Sequence, residues 1–163
     1  MFLLGGQLMW RRGAAPDDHV EPLLLGELRG PDPRRPAVEP ISLPTVDGWS
    51  SQQWGMFDRF FRGYLPAVVV FGVPRYEDAA LADGSPRSTP ESLRTTIAAA
   101  RSGCAAIGAK LVLVADAGLP EPFAQALRSE QDAGMPLVEL TENDAASGIA
   151  RKLAETLRPM LQR

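Results

Sequence analysis

The chain has 163 residues, of which 45% are hydrophobic and 23% are charged, and this balance is typical of one globular domain rather than of a disordered or collagen-like chain. The formal net charge is −3, so a nucleic-acid partner is not expected. Lysine is scarce: of the 17 Lys and Arg residues, only Lys110 and Lys152 are lysines. A reaction that needs a lysine amine therefore has two candidates.

A single cysteine, Cys104, excludes both an intramolecular disulfide and a zinc site built from four cysteines. No stretch approaches the roughly 18 apolar residues that a membrane-spanning helix needs. The apolar start of the chain is followed, not preceded, by Arg11 and Arg12, which is the wrong order for an export signal. We therefore expect a cytoplasmic protein that does not bind membranes.

The first third of the sequence is irregular. Residues 1–10 are predicted to form a loosely apolar arm, and residues 13–18 a loop. The three leucines at 23–25 form a short apolar run that is typical of a buried strand. Residues 30–40 contain four prolines, which predict a loop because proline lacks the N–H that a sheet requires.

From residue 50 onward, predicted helices and strands alternate. Uninterrupted apolar runs predict buried strands over residues 67–73, 110–115 and 136–140. Helical spacing of apolar residues, with capping side chains or proline at the start, predicts helices over residues 50–63, 89–108, 121–133 and 144–157. The cap of the last helix is Asp144 or Ser147. The buried face of the first helix is predicted to consist of Trp54, Phe57, Phe60 and Phe61.

Counting the strand at 23–25, a strand followed by a helix occurs four times, which predicts one α/β domain over residues 1–163 with a parallel sheet. Residues 1–15 are its N-terminal arm and residues 16–163 its four βα units. The periodicity alone leaves open whether the sheet is an open three-layer sheet or part of a barrel.

Four segments, in this order, resemble porphobilinogen synthase, also called 5-aminolevulinate dehydratase. They are PDDHVEPLLL at 16–25, EPISLPTVDGW at 39–49, LPAVVVFGVPRYEDAALADGSPRS at 65–88 and LVLVADAGLPEP at 111–122. In the third segment, FGVP ends a predicted strand and is followed by Asp78 and Gly84-Ser85; the aspartate that ends the next strand falls on Asp116. The family fold is a TIM barrel of about 250 residues, so the resemblance implies a parallel (βα)4 half of a TIM-barrel-like fold.

The resemblance also implies that catalytic groups are missing. Family members condense two 5-aminolevulinate molecules through Schiff bases on lysines of the second half of the barrel, which this chain lacks. Lys110 is expected at the opposite rim, and Lys152 lies inside the last helix. In many members, cysteines after the third strand bind zinc, but here the corresponding positions are Gly118 and Pro120. No catalytic residue and no metal site are therefore predicted.

Five residues are candidates for binding a ligand, because they follow predicted strands at the edge where α/β proteins place functional groups. They are Asp78, Ser85, Asp116, Thr141 and Glu142. Ser85 with Arg87 would bind an anion through an N–H group and a guanidinium. Each candidate has a structural alternative: Asp116 as a loop anchor, Thr141 and Glu142 as part of a helix cap, and Ser85 as part of a solvated loop.

No cofactor is predicted. Cys104, late in a helix among small residues, is expected to pack in the core, and His19 has no cluster of metal ligands beside it. Haem or another tetrapyrrole, held by His19 or Cys104, is suggested only by the metabolism of the family that the chain resembles.

A half-barrel would leave one apolar face of its sheet uncovered, which soluble monomers avoid. The chain would then either flatten into an open sheet or pair with a second copy. We expect a homo-oligomer, most simply a dimer, to which the N-terminal arm contributes a contact.

Three functions stay open at this point. The first is a non-catalytic relative of porphobilinogen synthase that binds a small molecule or a protein partner in tetrapyrrole (haem) metabolism. The second is an active 5-aminolevulinate dehydratase, or a subunit of one, which needs a lysine amine kept neutral by burial. The third is a generic α/β binding module. We expect the first, because the scaffold is retained while the lysines and cysteines are missing.

Overall fold

The computed structural model describes residues 1–4, 19–30, 38–43 and 49–161, which form five parallel strands and five α-helices. The strands are β1 (Phe2–Leu4), β2 (Ile41–Leu43), β3 (Val68–Val73), β4 (Lys110–Ala115) and β5 (Leu137–Glu139). The helices are α1 (Val20–Arg29), α2 (Ser50–Met56), α3 (Pro90–Ala106), α4 (Glu121–Asp132) and α5 (Ala146–Leu161).

The strand order is β2-β1-β3-β4-β5, and each neighbouring pair is parallel. From β1 the chain first moves outward to β2, then returns past β1 to β3 and continues to β5. This reversal beside β1 is the topological switch point of an open, doubly wound sheet, and the order is the one found in flavodoxin-like folds.

Helices cover both faces of this sheet. On one face, α1 and α5 pack over alternate strand residues such as Leu3, Val70 and Val112. On the other face, α2, α3 and α4 pack over residues such as Phe2 and Phe71. A strand covered on both faces must be apolar at every position, and this is why β3 is buried along its whole length.

The predicted parallel α/β class is therefore confirmed, but the half-barrel is not. In a (βα)4 half-barrel, strands that follow one another in sequence would be neighbours throughout, whereas here β1 lies between β2 and β3. The residues that the structure describes also form five strands rather than four. The architecture corresponds to the alternative prediction, an open three-layer α/β sheet.

Three predictions for the first third of the chain are wrong. Residues 2–4, assigned to the arm, form the interior strand β1 and are buried; residues 5–15 of the arm lie outside the described residues. The leucines at 23–25 belong to α1, whose buried residues recur at Val20, Leu24 and Leu28. Residues 41–43, which the resemblance to porphobilinogen synthase assigns to the loop after that family's first strand, form β2.

From residue 66 onward the predicted elements agree with the structure to within two residues at each boundary, except at the end of α5. That helix begins at Ala146, continues through Pro159 and ends at Leu161. The predicted cap of α3 is confirmed: Thr89 Oγ1 accepts a hydrogen bond from Ser92 N at 3.1 Å, and Ser92 Oγ accepts one from Thr89 N at 2.8 Å.

The helix predicted over residues 50–63 changes its pitch midway. It consists of α2, a π-helical turn (Phe57–Phe61) and a 3₁₀ turn (Arg62–Tyr64). Trp54 and Phe57 are buried, as predicted. Phe60 is 61% exposed, because the π turn shifts the helical repeat.

The reason for expecting a dimer does not apply to this sheet, because helices cover both of its faces. The dimer itself stays a prediction. Large apolar side chains are exposed at Phe60, Tyr64 and Leu65.

Close packing of α2 against α3 generates a stability prediction. A Cβ atom at Gly103 would lie 2.6 Å from Trp54 Cζ2, and the indole is buried. Gly103→Ala should therefore destabilise the protein by about 1–3 kcal/mol in urea unfolding, through overpacking. The matched control is Gly26→Ala in α1, where a Cβ meets nothing within 4 Å; it should stabilise by about 0.5–1 kcal/mol. Equal effects of the two substitutions would contradict the packing described.

Candidate functional site

The loops that follow β3, β4 and β5 all emerge at the carboxyl edge of the sheet, because the strands are parallel. In open α/β sheets this edge is where ligands bind, outside the switch point. These three loops carry the five residues that the sequence singles out, namely Asp78, Ser85, Asp116, Thr141 and Glu142. Their predicted position on one side of the sheet agrees with the structure.

Asp116 directly follows β4 and joins two loops. Its Oδ2 accepts a hydrogen bond from Arg75 N at 3.2 Å, and its own N–H donates to Val73 O at 3.1 Å. Burial raises the pKa of the Asp116 carboxyl, while the hydrogen bond from Arg75 N, the charge of Arg75 and the N–H of Ala117 oppose that shift. Asp116 is therefore a loop anchor whose half-buried carboxylate lies beside the exposed residue Arg75.

Thr141 belongs to the turn that leads from β5 into α5. Its N–H and its hydroxyl donate to Asp144 Oδ2 at 2.7 and 3.1 Å, and Lys152 Nζ donates to the same oxygen at 2.6 Å. These bonds, chiefly that from Lys152, lower the pKa of Asp144. Glu142 is exposed. Among the described hydrogen bonds, none joins this turn to Asp116, so the polar rim stays a prediction.

Ser85 lies in an exposed loop that closes on itself. Its N–H and hydroxyl both donate to Asp83 Oδ1, at 2.9 and 2.6 Å, and these bonds lower the pKa of Asp83. The Ser85 N–H, which was predicted to bind an anion, therefore donates to the carboxylate of Asp83. The Arg87 guanidinium lies over the ring of Trp49, 5.4 Å from its centroid, and Asp78 is exposed.

Glu77 is the residue that the sequence analysis missed. It lies in the loop after β3, is fully buried, and accepts hydrogen bonds at Oε2 from Ser50 N at 3.1 Å and from Ser50 Oγ at 3.0 Å. Burial raises the pKa of Glu77, and hydrogen bonds from Ser50 and Ser88 oppose that shift. The Glu77 carboxylate accepts these hydrogen bonds at the start of α2, where the N–H groups of the first helical turn have no partner within the helix and favour an acceptor.

The two lysines have oxygen partners on the protein. Lys110 opens β4 at the amino edge and donates to Met160 O at 3.0 Å. Lys152 lies within α5, as predicted; its Nζ is paired with Asp144 Oδ2 at 2.6 Å, and its side chain is 38% exposed. Neither amine lies in the desolvated setting that a Schiff-base lysine needs.

The residues considered for haem lie apart. Cys104 is buried in α3, as predicted, whereas His19 precedes α1 on the opposite face of the sheet. Across the described residues, no three His, Cys, Asp or Glu side chains are placed to hold a metal ion together. In the same part of the chain, no helix combines the length and apolar character needed to cross a membrane.

Neither the models of known protein families nor the curated proteins contain a match to this chain. Function is therefore inferred from the sheet, its edge and the chemistry of the side chains there.

Burial of Glu77 generates a pH prediction. A carboxyl whose folded pKa is raised adds stability below its unfolded pKa, and this contribution is lost as the pH rises through the folded pKa. The wild type should therefore gain stability relative to Glu77→Gln as the pH falls from about 7 to about 4. The quantity compared is the free energy of unfolding of the wild type minus that of the variant.

Urea titrations at several pH values measure this difference. Glu155→Gln, at an exposed site on α5, controls for the loss of one carboxylate from the surface. A difference that decreases on acidification would show that the hydrogen bonds from Ser50 outweigh burial.

Proposed function

We propose that the protein binds a small amino or hydroxy acid at the carboxyl edge of its sheet and does not convert it. The observation that carries this proposal is the reversal of strand order beside β1, since ligands of doubly wound sheets bind in the crevice outside such a point. β3 borders that crevice, and the loop after β3 carries Arg75 and Glu77.

The charges at this edge support the ligand class. Arg75 and Asp116 come from neighbouring loops and are joined by the Arg75 N–H. A guanidinium recognises a carboxylate, and the carboxylate of Asp116 accepts hydrogen bonds from an amine or hydroxyl. A molecule that bears both groups would therefore satisfy both residues, and 5-aminolevulinate is such a molecule.

The surroundings of the two lysines support binding without conversion of the ligand. Lys110 and Lys152 are hydrogen-bonded to oxygen atoms of the protein, and neither is buried. Only the resemblance to porphobilinogen synthase supports the link to tetrapyrrole metabolism. It makes 5-aminolevulinate the first ligand to test, within a panel of amino and hydroxy acids.

Titration followed by amide NMR tests the binding site. Ligands of the panel should cause saturable shifts at the amides around Arg75 and Asp116. Asp116→Asn keeps an oxygen for Arg75 N but removes the charge, so it should weaken binding about tenfold, the worth of one charge-assisted hydrogen bond. Asp132→Asn, at the far end of α4, should leave affinity unchanged. If no member of the panel shifts these amides, the proposed site is wrong.

A second experiment separates binding from catalysis. The protein is incubated with 5-aminolevulinate and borohydride, and the intact mass is measured. We expect no added mass, because an exposed or ion-paired amine lacks the desolvated setting that makes a Schiff-base lysine nucleophilic. A reduced adduct on Lys110 or Lys152 would instead identify the active dehydratase, the alternative that the sequence leaves open.

A further inference from the structure

Arg75, to which the proposed function assigns the carboxylate of the ligand, lies in a tight turn directly after β3. Glu77 N donates to Pro74 O at 3.1 Å and closes this turn. Arg75 and Tyr76 are thus its two central residues. Because Arg75 is exposed, the turn rather than side-chain packing sets the region that its guanidinium can reach.

Hydrogen bonds to other elements hold this turn in place. Asp116, which follows β4, accepts a hydrogen bond from Arg75 N at 3.2 Å. The Glu77 carboxylate joins the turn to the start of α2, where Ser50 N and Ser50 Oγ donate to Oε2 at 3.1 and 3.0 Å. Ser88, just before α3, donates a further hydrogen bond to the same carboxylate. The turn is therefore connected to the ends of three other elements.

The link through Glu77 is costly to break because both of its ends are buried. Among the described residues, Glu77 is the one charged side chain that is fully buried, and Ser50 is likewise 0% exposed. If the link broke, a buried carboxylate and buried donors would lose their partners, which costs more than breaking an exposed hydrogen bond. Glu77 therefore fixes the turn to α2 more firmly than a surface contact would.

The turn also sets the spacing between the two groups that the ligand is proposed to contact. Burial raises the pKa of the Asp116 carboxyl, and the charge of Arg75 opposes that rise, so the guanidinium lies within electrostatic reach of the carboxylate. A ligand that bears a carboxylate and an amine contacts both groups only while this spacing is kept. A loosened turn would have to be ordered again on binding, at a cost in affinity.

We propose that Glu77 is a positioning residue for the carboxylate of the ligand: it fixes the turn after β3 and, through that turn, the Arg75 guanidinium. This role rests on the function proposed above, since it specifies how one of the two contacting groups of that site is held. Glu77 is buried and acts through Arg75. Loss of its hydrogen bonds should therefore weaken the binding of acids and leave the contacts of other ligand groups unchanged.

Comparing an acid with its methyl ester isolates the contribution of the carboxylate. The acid is the member of the panel that binds most tightly to the wild type, beginning with 5-aminolevulinate, and both affinities are measured by NMR titration. Glu77→Met keeps the length of the side chain but removes its acceptor oxygens. It should weaken binding of the acid about fivefold, the cost of ordering one side chain on binding. The affinity for the ester should stay unchanged.

Three further variants identify how Glu77 acts. Glu77→Gln keeps an acceptor oxygen for Ser50 and should retain most of the wild-type affinity. Ser50→Ala removes one of the two donors, so it should weaken binding of the acid and add little to the effect of Glu77→Met. If Glu77→Met does not fold, Ser50→Ala carries the same comparison. Glu91→Gln, at an exposed site in the first turn of α3, controls for the loss of a carboxylate and should change neither affinity.

Hydrogen exchange tests the support of the turn without any ligand. The Arg75 amide should exchange faster in Glu77→Met than in the wild type or in Glu77→Gln. The role of Glu77 is wrong if this exchange is unchanged, if the acid and its ester lose affinity equally, or if Glu77→Met still weakens binding of the acid in an Arg75→Gln background. Failure of every acid of the panel to bind the wild type contradicts the proposed function itself, and the role of Glu77 with it.

Discussion

The architecture depends on three residues at the start of the chain. Phe2, Leu3 and Leu4 pair with β2 on one side and with β3 on the other, so they connect the outer strand to the rest of the sheet. Their side chains alternate between the two cores, and the Phe2 ring packs edge-on against Phe57 at 5.2 Å. The strand order reverses here because β1 is inserted between β2 and β3, and the proposal of a ligand crevice depends on this reversal.

How far the fold is predictable from sequence depends on how much local signal each element carries. The strands β3 and β4 have six residues each and are apolar throughout apart from Lys110 at the start of β4, and α3 begins with a proline and a capping threonine. β1 and β2 have three residues each, too few to show any period. The leucines at 23–25 fit a strand or a helix, and only their spacing from Val20 and Leu28 favours the helix.

The candidate site was predictable in position but not in detail. Parallel strands bring their carboxyl ends to one edge, so the location of Asp116 and Thr141 followed from the strand pattern alone. The burial of Glu77 did not follow from the strand pattern, because its partner Ser50 lies 27 residues earlier in the chain. An acidic pair in a loop also normally faces water.

The outer strands of the sheet, β2 and β5, are only three residues long. An exposed outer strand is a template on which another polypeptide can add by backbone hydrogen bonding, and short outer strands limit this hazard. Contacts between copies of this chain are therefore expected to involve side chains such as Phe60 and Tyr64 rather than a sheet continued from molecule to molecule. We therefore expect the same brevity to limit fibril-like aggregation of the folded protein.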